Sequence, residues 1–124
     1  MKRDTQQREA IRKVVLNAER PLAIQEIFEL AQRDVSGLGI ATVYRNLKTL
    51  QEDGLIVQVN VSGLPPYWEN AIKSHHHHFL CLACNKLFEI PDCPKGLIRI
   101  LPDGFNLEDH DILLRGKCNV CADK

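Results

Sequence analysis

Hydrophobic positions in the first half of the chain recur with the period of a helix. Three segments carry apolar side chains at spacings of three and four residues, which predicts three helices. Their stripes are Ile11, Val14, Val15 and Ala18; Ile24, Ile27, Phe28 and Ala31; and Ile40, Val43, Leu47 and Leu50. Pro21 breaks the first helix, Gly39 is the predicted N-cap of the third, and Asp53-Gly54 is its predicted stop.

The period then changes from 3.6 to two. Apolar side chains at alternate positions from 55 to 61, a turn at Ser62-Gly63 and the segment Tyr67-Trp68-Glu69 predict a two-stranded hairpin. Three helices followed by a hairpin is the order of a winged helix, here predicted over 1–70. A hinge is predicted over 70–74.

Strand-like pieces dominate the rest of the chain. They lie at 77–82, 86–90 and 110–115, and 94–101 allows at most two turns of helix. The predicted fold class is therefore α+β, with the winged helix followed by a small α/β dimerisation domain over 75–124.

Composition narrows the class of protein. The 124 residues are 44% hydrophobic with zero formal net charge, so the net charge alone does not indicate a nucleic-acid partner. No apolar run approaches the roughly 20 residues of a membrane span, and no signal-peptide core follows the N-terminus, so we expect a cytoplasmic protein without a membrane partner. No βαβ unit surrounds a cysteine pair, and neither a catalytic triad order nor a glycine-rich phosphate loop is present, which argues against an enzyme.

Two Cys-x-x-Cys pairs stand at Cys81/Cys84 and Cys118/Cys121. Four thiols in two such pairs are what a tetrahedral structural Zn²⁺ requires. Cytosolic thiols stay reduced, which favours zinc over disulfides. The rival interpretation is a redox-active Cys-x-x-Cys.

Four consecutive histidines, His75 to His78, precede the first cysteine pair. If they begin a strand, alternation sends His75 and His77 to one face and His76 and His78 to the other. One strand would then serve two metal sites; the alternative is that some of these histidines are ordinary surface residues.

The third predicted helix would expose a polar face if its apolar stripe is buried. That face contains Thr42, Tyr44, Arg45 and Lys48. Arginine can bridge a guanine, tyrosine and threonine can meet thymine methyls or phosphates, and lysine can neutralise phosphate. The same four residues would also suit the solvent-facing side of an ordinary helix.

The motifs together resemble the ferric uptake regulator (Fur) family. They are Thr5-Gln6-Gln7-Arg8, Ala41-Thr42-Val43-Tyr44-Arg45-Asn46-Leu47, the histidine run and the two cysteine pairs, in that order. The chain looks most like a short zinc-sensing member. The resemblance implies a homodimer that binds double-stranded operator DNA when metal is bound, and represses metal uptake genes. It places Tyr44 and Arg45 on the DNA, with Arg8 nearby; we expect Arg8, Arg12 and Lys48 on phosphates.

The same resemblance implies two sensory metal sites beside the structural zinc. The first would use Glu69, His76, His78 and Glu89. The second would use His75, His77 and His110, with Cys93 in place of an acid that relatives carry where Gly96 stands; Cys93 could equally be a buried free cysteine. The regulatory ion would be Zn²⁺ or Fe²⁺, and imidazole and thiolate donors favour zinc.

One ligand of the family pattern is missing. A histidine that relatives carry at the start of the second helix would fall near Pro21, and no histidine precedes His75. Two alternatives therefore stay open. The chain could be a peroxide- or iron-sensing regulator of the same family, or a metal-independent dimeric DNA-binding protein with structural zinc alone.

Overall fold

The computed structural model describes the backbone of residues 2–122 and the side chains of residues 4–122. The chain divides into two compact units, residues 1–73 and 74–124. Both helices and sheets are present, which confirms the predicted α+β class. None of the described helices combines the length and apolarity of a membrane span.

The first unit contains three helices and one small sheet. The helices are α1 (Lys2–Asn17), α2 (Ile24–Ala31) and α3 (Ile40–Glu52), and the strands are β1 (Leu22–Ala23), β2 (Ile56–Val59) and β3 (Tyr67–Asn70). The sheet is antiparallel in the order β1-β3-β2. The sequence predicted two strands rather than three. A strand of two residues is too short to show alternation, so β1 left no signal in the pattern.

The predicted apolar stripes form the core of the first unit. Its fully buried side chains include Ile11, Val15, Ile27, Val43, Leu47, Leu50, Ile56 and Trp68. The prediction that Ile40 is buried is wrong, because its side chain is 42% exposed. The buried face of α3 consists of Val43, Asn46, Leu47 and Leu50. At 3.6 residues per turn, Ile40 lies about 70° from the centre of that face.

Both predicted ends of α3 are correct. Gly39 is the N-cap in an extended conformation, and Asp53 is the C-cap. Gly54 follows with φ of 80°, a left-handed conformation that costs glycine little and other residues more. The two glycines thus set the length of the helix that carries the predicted DNA-contacting residues.

The second unit is built on a three-stranded mixed sheet. Its strands are β4 (His77–Cys81), β5 (Leu87–Ile90) and β6 (Leu113–Gly116), in the order β5-β4-β6. The pair β4–β5 is antiparallel, whereas β4–β6 is parallel. The first two strands agree with prediction to within a residue, and the third begins three residues late. A single 3₁₀ turn, Leu97–Ile100, occupies the predicted helix.

Replacing Leu47 with alanine should destabilise the first unit. This side chain is fully buried, so its loss should lower the free energy of unfolding by about 2–5 kcal/mol. Ile40→Ala on the same helix is the matched control and should cost about 0.5 kcal/mol, as at a surface site. Urea unfolding followed by Trp68 fluorescence measures both. Equal losses would show that the buried face of α3 has been misassigned.

Candidate metal centres and nucleic-acid face

Four cysteine sulfurs converge at one end of the second sheet. Cys81 ends β4, Cys84 lies in the turn before β5, and Cys118 and Cys121 lie in the turn after β6. All four sulfurs lie within 4.8 Å of one another, and the Sγ atoms of Cys84 and Cys118 are 3.9 Å apart. Zinc–sulfur bonds of about 2.3 Å in a tetrahedron separate the sulfurs by about 3.8 Å. These donors therefore fit a structural zinc.

Backbone amides of the two turns point at one of these sulfurs. The N–H groups of Cys118 and Cys84 each donate to Cys81 Sγ over 3.4 Å. Principally through the Cys118 amide, they lower the pKa of Cys81 to about 6. The Cys118 side chain, followed by burial, raises the pKa of Cys121 to about 12. Four thiolates held this close together would repel one another, so a shared cation is needed to keep all four ionised at neutral pH.

A second cluster of donors lies at the opposite end of β4. It consists of His75, His77, Cys93 and His110, with one donor atom from each within 4.8 Å of the others. The Nε2 atoms of His75 and His110 are 3.2 Å apart. Cys93 Sγ is 2.9 Å from His110 Nε2 and 3.4 Å from His77 Nε2. Tetrahedral zinc places nitrogen and sulfur ligands about 3.3–3.6 Å apart, so this donor set also fits a single ion.

His77 is the buried member of that cluster, with 2% of its surface exposed. Burial, reinforced by His75 and His110, lowers its pKa and favours the neutral ring. The amide of Ile112 donates to its Nδ1 over 3.2 Å, which puts the ring proton on Nε2. Metal ligation through Nε2 would move that proton to Nδ1, so it requires the Ile112 hydrogen bond to break.

The other two histidines face the opposite side of the strand. The rings of His76 and His78 are 4.8 Å apart, in agreement with the predicted alternation. Glu89 is the residue opposite His78 in the antiparallel ladder. Glu69, the fourth residue predicted for this first set, belongs to the other unit, where it is a buried residue of β3. Within the second unit, the structure therefore brings together three of the four predicted residues: His76 and His78 by ring contact, and Glu89 by strand pairing with His78.

The exposed side of α3 carries the predicted DNA-contacting residues. Tyr44, Arg45 and Lys48 are exposed, whereas Thr42 is partly buried. The Tyr44 ring meets the Trp68 ring edge-on, with centroids 6.0 Å apart. Tyr44 is thereby supported from below by a core residue while much of its surface stays accessible.

Two arginines of α1 were also predicted to meet phosphates. Arg8 Nε donates to Asn46 Oδ1 over 3.1 Å, and Arg12 pairs with Glu9 over 3.1 Å. A pocket of about 280 Å³ lies between α1 and α3. It is lined by Asp4, Arg8, Thr42, Arg45, Asn46 and Thr49. The burial of Asn46 was not predicted, because a polar residue within an apolar stripe is ordinarily assigned to the helix exterior.

Comparisons with known proteins identify the family of the chain. The model of the Ferric uptake regulator family matches residues 2–115. The ferric uptake regulation protein of Campylobacter jejuni is 31% identical over 122 residues, which is 94% of this chain and 78% of that protein.

Two solved structures are similar over most of the chain. The Helicobacter pylori ferric uptake regulator, described as having three functional metal binding sites, is 27% identical with a TM-score of 0.70, over 93% of this chain and 79% of that one. FurB of M. tuberculosis, a zinc uptake regulator, is 26% identical with a TM-score of 0.53, over 96% and 95%. The family predicted from the motifs is confirmed, whereas the zinc-sensing subtype stays a prediction: the chain belongs to the ferric uptake regulator family of metal-responsive transcription regulators.

Proposed function

We propose that this protein is a cytoplasmic, zinc-responsive repressor that binds operator DNA as a homodimer and controls metal uptake genes. The observation that carries the proposal is the presence of two separate donor clusters in the second unit. Four thiols complete the coordination of a structural zinc, so the imidazoles and thiol at the other end of β4 serve a different ion.

The small core of the second unit supports a structural role for the first cluster. Among its described residues, the buried apolar side chains are Leu80, Cys81, Leu87 and Cys118. Fully burying a leucine contributes about 1.5–3 kcal/mol, whereas structural zinc contributes about 10–16 kcal/mol in zinc-finger peptides. Zinc at the cysteines would thus be the largest single stabilising contribution in this unit.

The chemistry of the second cluster favours zinc as the regulatory ion. Three imidazoles and a thiol are nitrogen and sulfur donors, which suit Zn²⁺ better than the oxygen-seeking Fe²⁺. Cys93 replaces the acid that would have made the site more oxygen-rich. The similarity to a zinc uptake regulator is consistent with this choice.

The first set gives a route from metal to DNA. Glu69 belongs to the DNA-binding unit, while His76, His78 and Glu89 belong to the metal-binding unit. A Zn²⁺ held by residues of both units would favour the arrangement in which those ligands meet, and would shift the equilibrium by its differential affinity. The second set, which lies wholly within one unit, would tune stability or affinity.

The surface of the second unit suits a dimer. Its exposed large apolar side chains are Leu82, Ile98, Ile100, Phe105, Leu114 and Val120. Exposed apolar area on this scale in a small unit is characteristic of an interaction surface. A dimer would also present two copies of α3, so that Tyr44 and Arg45 could read base edges in two half-sites.

The structural zinc is tested by Cys84→Ser, with Cys93→Ser as the matched control. Cys84→Ser should lose the tightly held zinc, and the second unit should unfold and fail to dimerise. Cys93→Ser should keep one zinc per chain and the dimer. Metal analysis and sedimentation measure both properties. A dimeric, zinc-free Cys84→Ser protein would show that the cysteines are not a structural zinc site.

Base reading is tested by Arg45→Ala on a DNA duplex selected by the wild-type protein from a random pool. Loss of an arginine–guanine contact should weaken binding by about 1–3 kcal/mol and relax selectivity at one base pair. Arg33→Ala removes an exposed arginine after α2 and serves as the control, which should bind normally. Unchanged affinity of Arg45→Ala would exclude its proposed role.

The two sensory sets are tested separately by His76→Ala and His110→Ala. Anaerobic titrations with Zn²⁺ and Fe²⁺ should show that each variant loses part of the metal-dependent gain in DNA affinity. His76→Ala should lose more, because the first set draws on both units. The response of the wild type should be stronger to Zn²⁺ than to Fe²⁺. Two variants with the full wild-type response would instead indicate a metal-independent DNA-binding protein.

A further inference from the structure

Asn46 is a polar side chain on an otherwise apolar helix face. Only 8% of its surface is exposed, and it lies at one edge of the buried face of α3, beside Leu50 and Val43. Both ends of its amide are engaged. Oδ1 accepts a hydrogen bond from Arg8 Nε over 3.1 Å, and Nδ2 donates to the carbonyl of Thr42 over 2.9 Å. The bond to the Thr42 carbonyl fixes which way the amide points, so its oxygen is presented to α1.

This contact fixes the plane of the Arg8 guanidinium. An arginine has five N–H donors in one rigid plane, and the bond from Nε leaves the four donors on its terminal nitrogens to meet a ligand. Arg45 is held on the same turn of α3, because its Nη2 donates to Thr42 Oγ1 over 3.0 Å. One residue pair, Thr42 and Asn46, therefore orders two arginines that come from different helices.

The pocket between these arginines has the chemistry of a phosphate site. Its lining adds the hydroxyl of Thr42 to the two guanidinium groups, whereas the hydroxyl of Thr49 donates to the Arg45 carbonyl over 3.1 Å. Asp4 also lines the pocket and opposes an anion, but two fixed cations outweigh one carboxylate. Guanidinium forks match the oxygens of a phosphate in a bidentate manner. A phosphate of a DNA backbone lying across α1 and α3 fits this combination of donors.

We propose that Asn46 is a positioning residue that holds Arg8 in the pocket beside Arg45, so that the Arg8 guanidinium binds one backbone phosphate of duplex DNA while Arg45 stays available for a base edge. The inference rests on the proposed DNA binding and adds a residue that never touches the DNA. An arginine already ordered in the free protein loses less side-chain freedom on binding than a mobile one. Asn46 thus increases affinity for DNA without contributing to base selectivity.

A double-mutant cycle separates this role from a purely structural one. The proteins are zinc-loaded full-length chains carrying Asn46→Ala, Arg8→Ala or both, with Asn17→Ala of α1 as the asparagine control. Binding to the selected duplex is measured. Asn46→Ala should weaken binding by about 2- to 10-fold. This is the loss of affinity expected when one long side chain, that of Arg8, must be ordered on binding. In the Arg8→Ala background it should have no further effect.

Arg8→Lys extends the test without altering the core. Lysine keeps the charge but lacks the guanidinium plane and the Nε bond to Asn46, so this variant should bind more tightly than Arg8→Ala but at least about twofold more weakly than the wild type. Wild-type affinity of Arg8→Lys, or additive losses in the cycle, would overturn the positioning role while leaving DNA binding intact. If selection with the metal-loaded wild type recovers no duplex from the random pool, the proposed function fails together with this inference.

Discussion

The parallel pairing of β4 with β6 determines where the metal donors of the second unit meet. In a parallel pair, the residues before both strands lie at one end and the residues after both strands lie at the other. The register joins His78 to Leu113, an offset of 35 residues that is also the separation of His75 and His110. The same register brings Cys81 opposite Gly116, two residues before Cys118. One backbone ladder thus assembles a thiol cluster and an imidazole cluster at its two ends.

Sequence patterns predicted most of this fold because its elements obey simple periods. The helical stripes, the cap at Gly39 and the stop at Gly54 all follow from local preferences. The exposed Ile40 and the buried Asn46 were missed for one shared reason. A stripe read from apolar residues alone is centred between Val43 and Leu47, whereas the buried face of α3 is rotated about 30° from that centre towards Asn46.

The candidate sites were predictable to different degrees. The spacing of the four cysteines predicts their cluster directly. Strand alternation predicts that the four histidines divide between two faces, without knowledge of the fold. The convergence of His110 and Cys93 with His75 and His77 depends on a parallel register that no local pattern encodes; the resemblance to relatives supplied it. The support of Tyr44 by Trp68 depends on the packing of α3 against β3, which is likewise invisible in the sequence.

The register of the second sheet also sets an order of folding. Pairing of β4 with β5 closes the short loop between Leu80 and Leu87. Pairing of β4 with β6 closes the much longer loop between Cys81 and Gly116. Loop-closure entropy rises with the logarithm of length, so the longer closure costs about 1.4 kcal/mol more. We therefore expect the turn with Cys81 and Cys84 to form while the other cysteine pair is still far away. A metal ion captured there by two thiolates would act as a nucleus on which the rest of the unit folds.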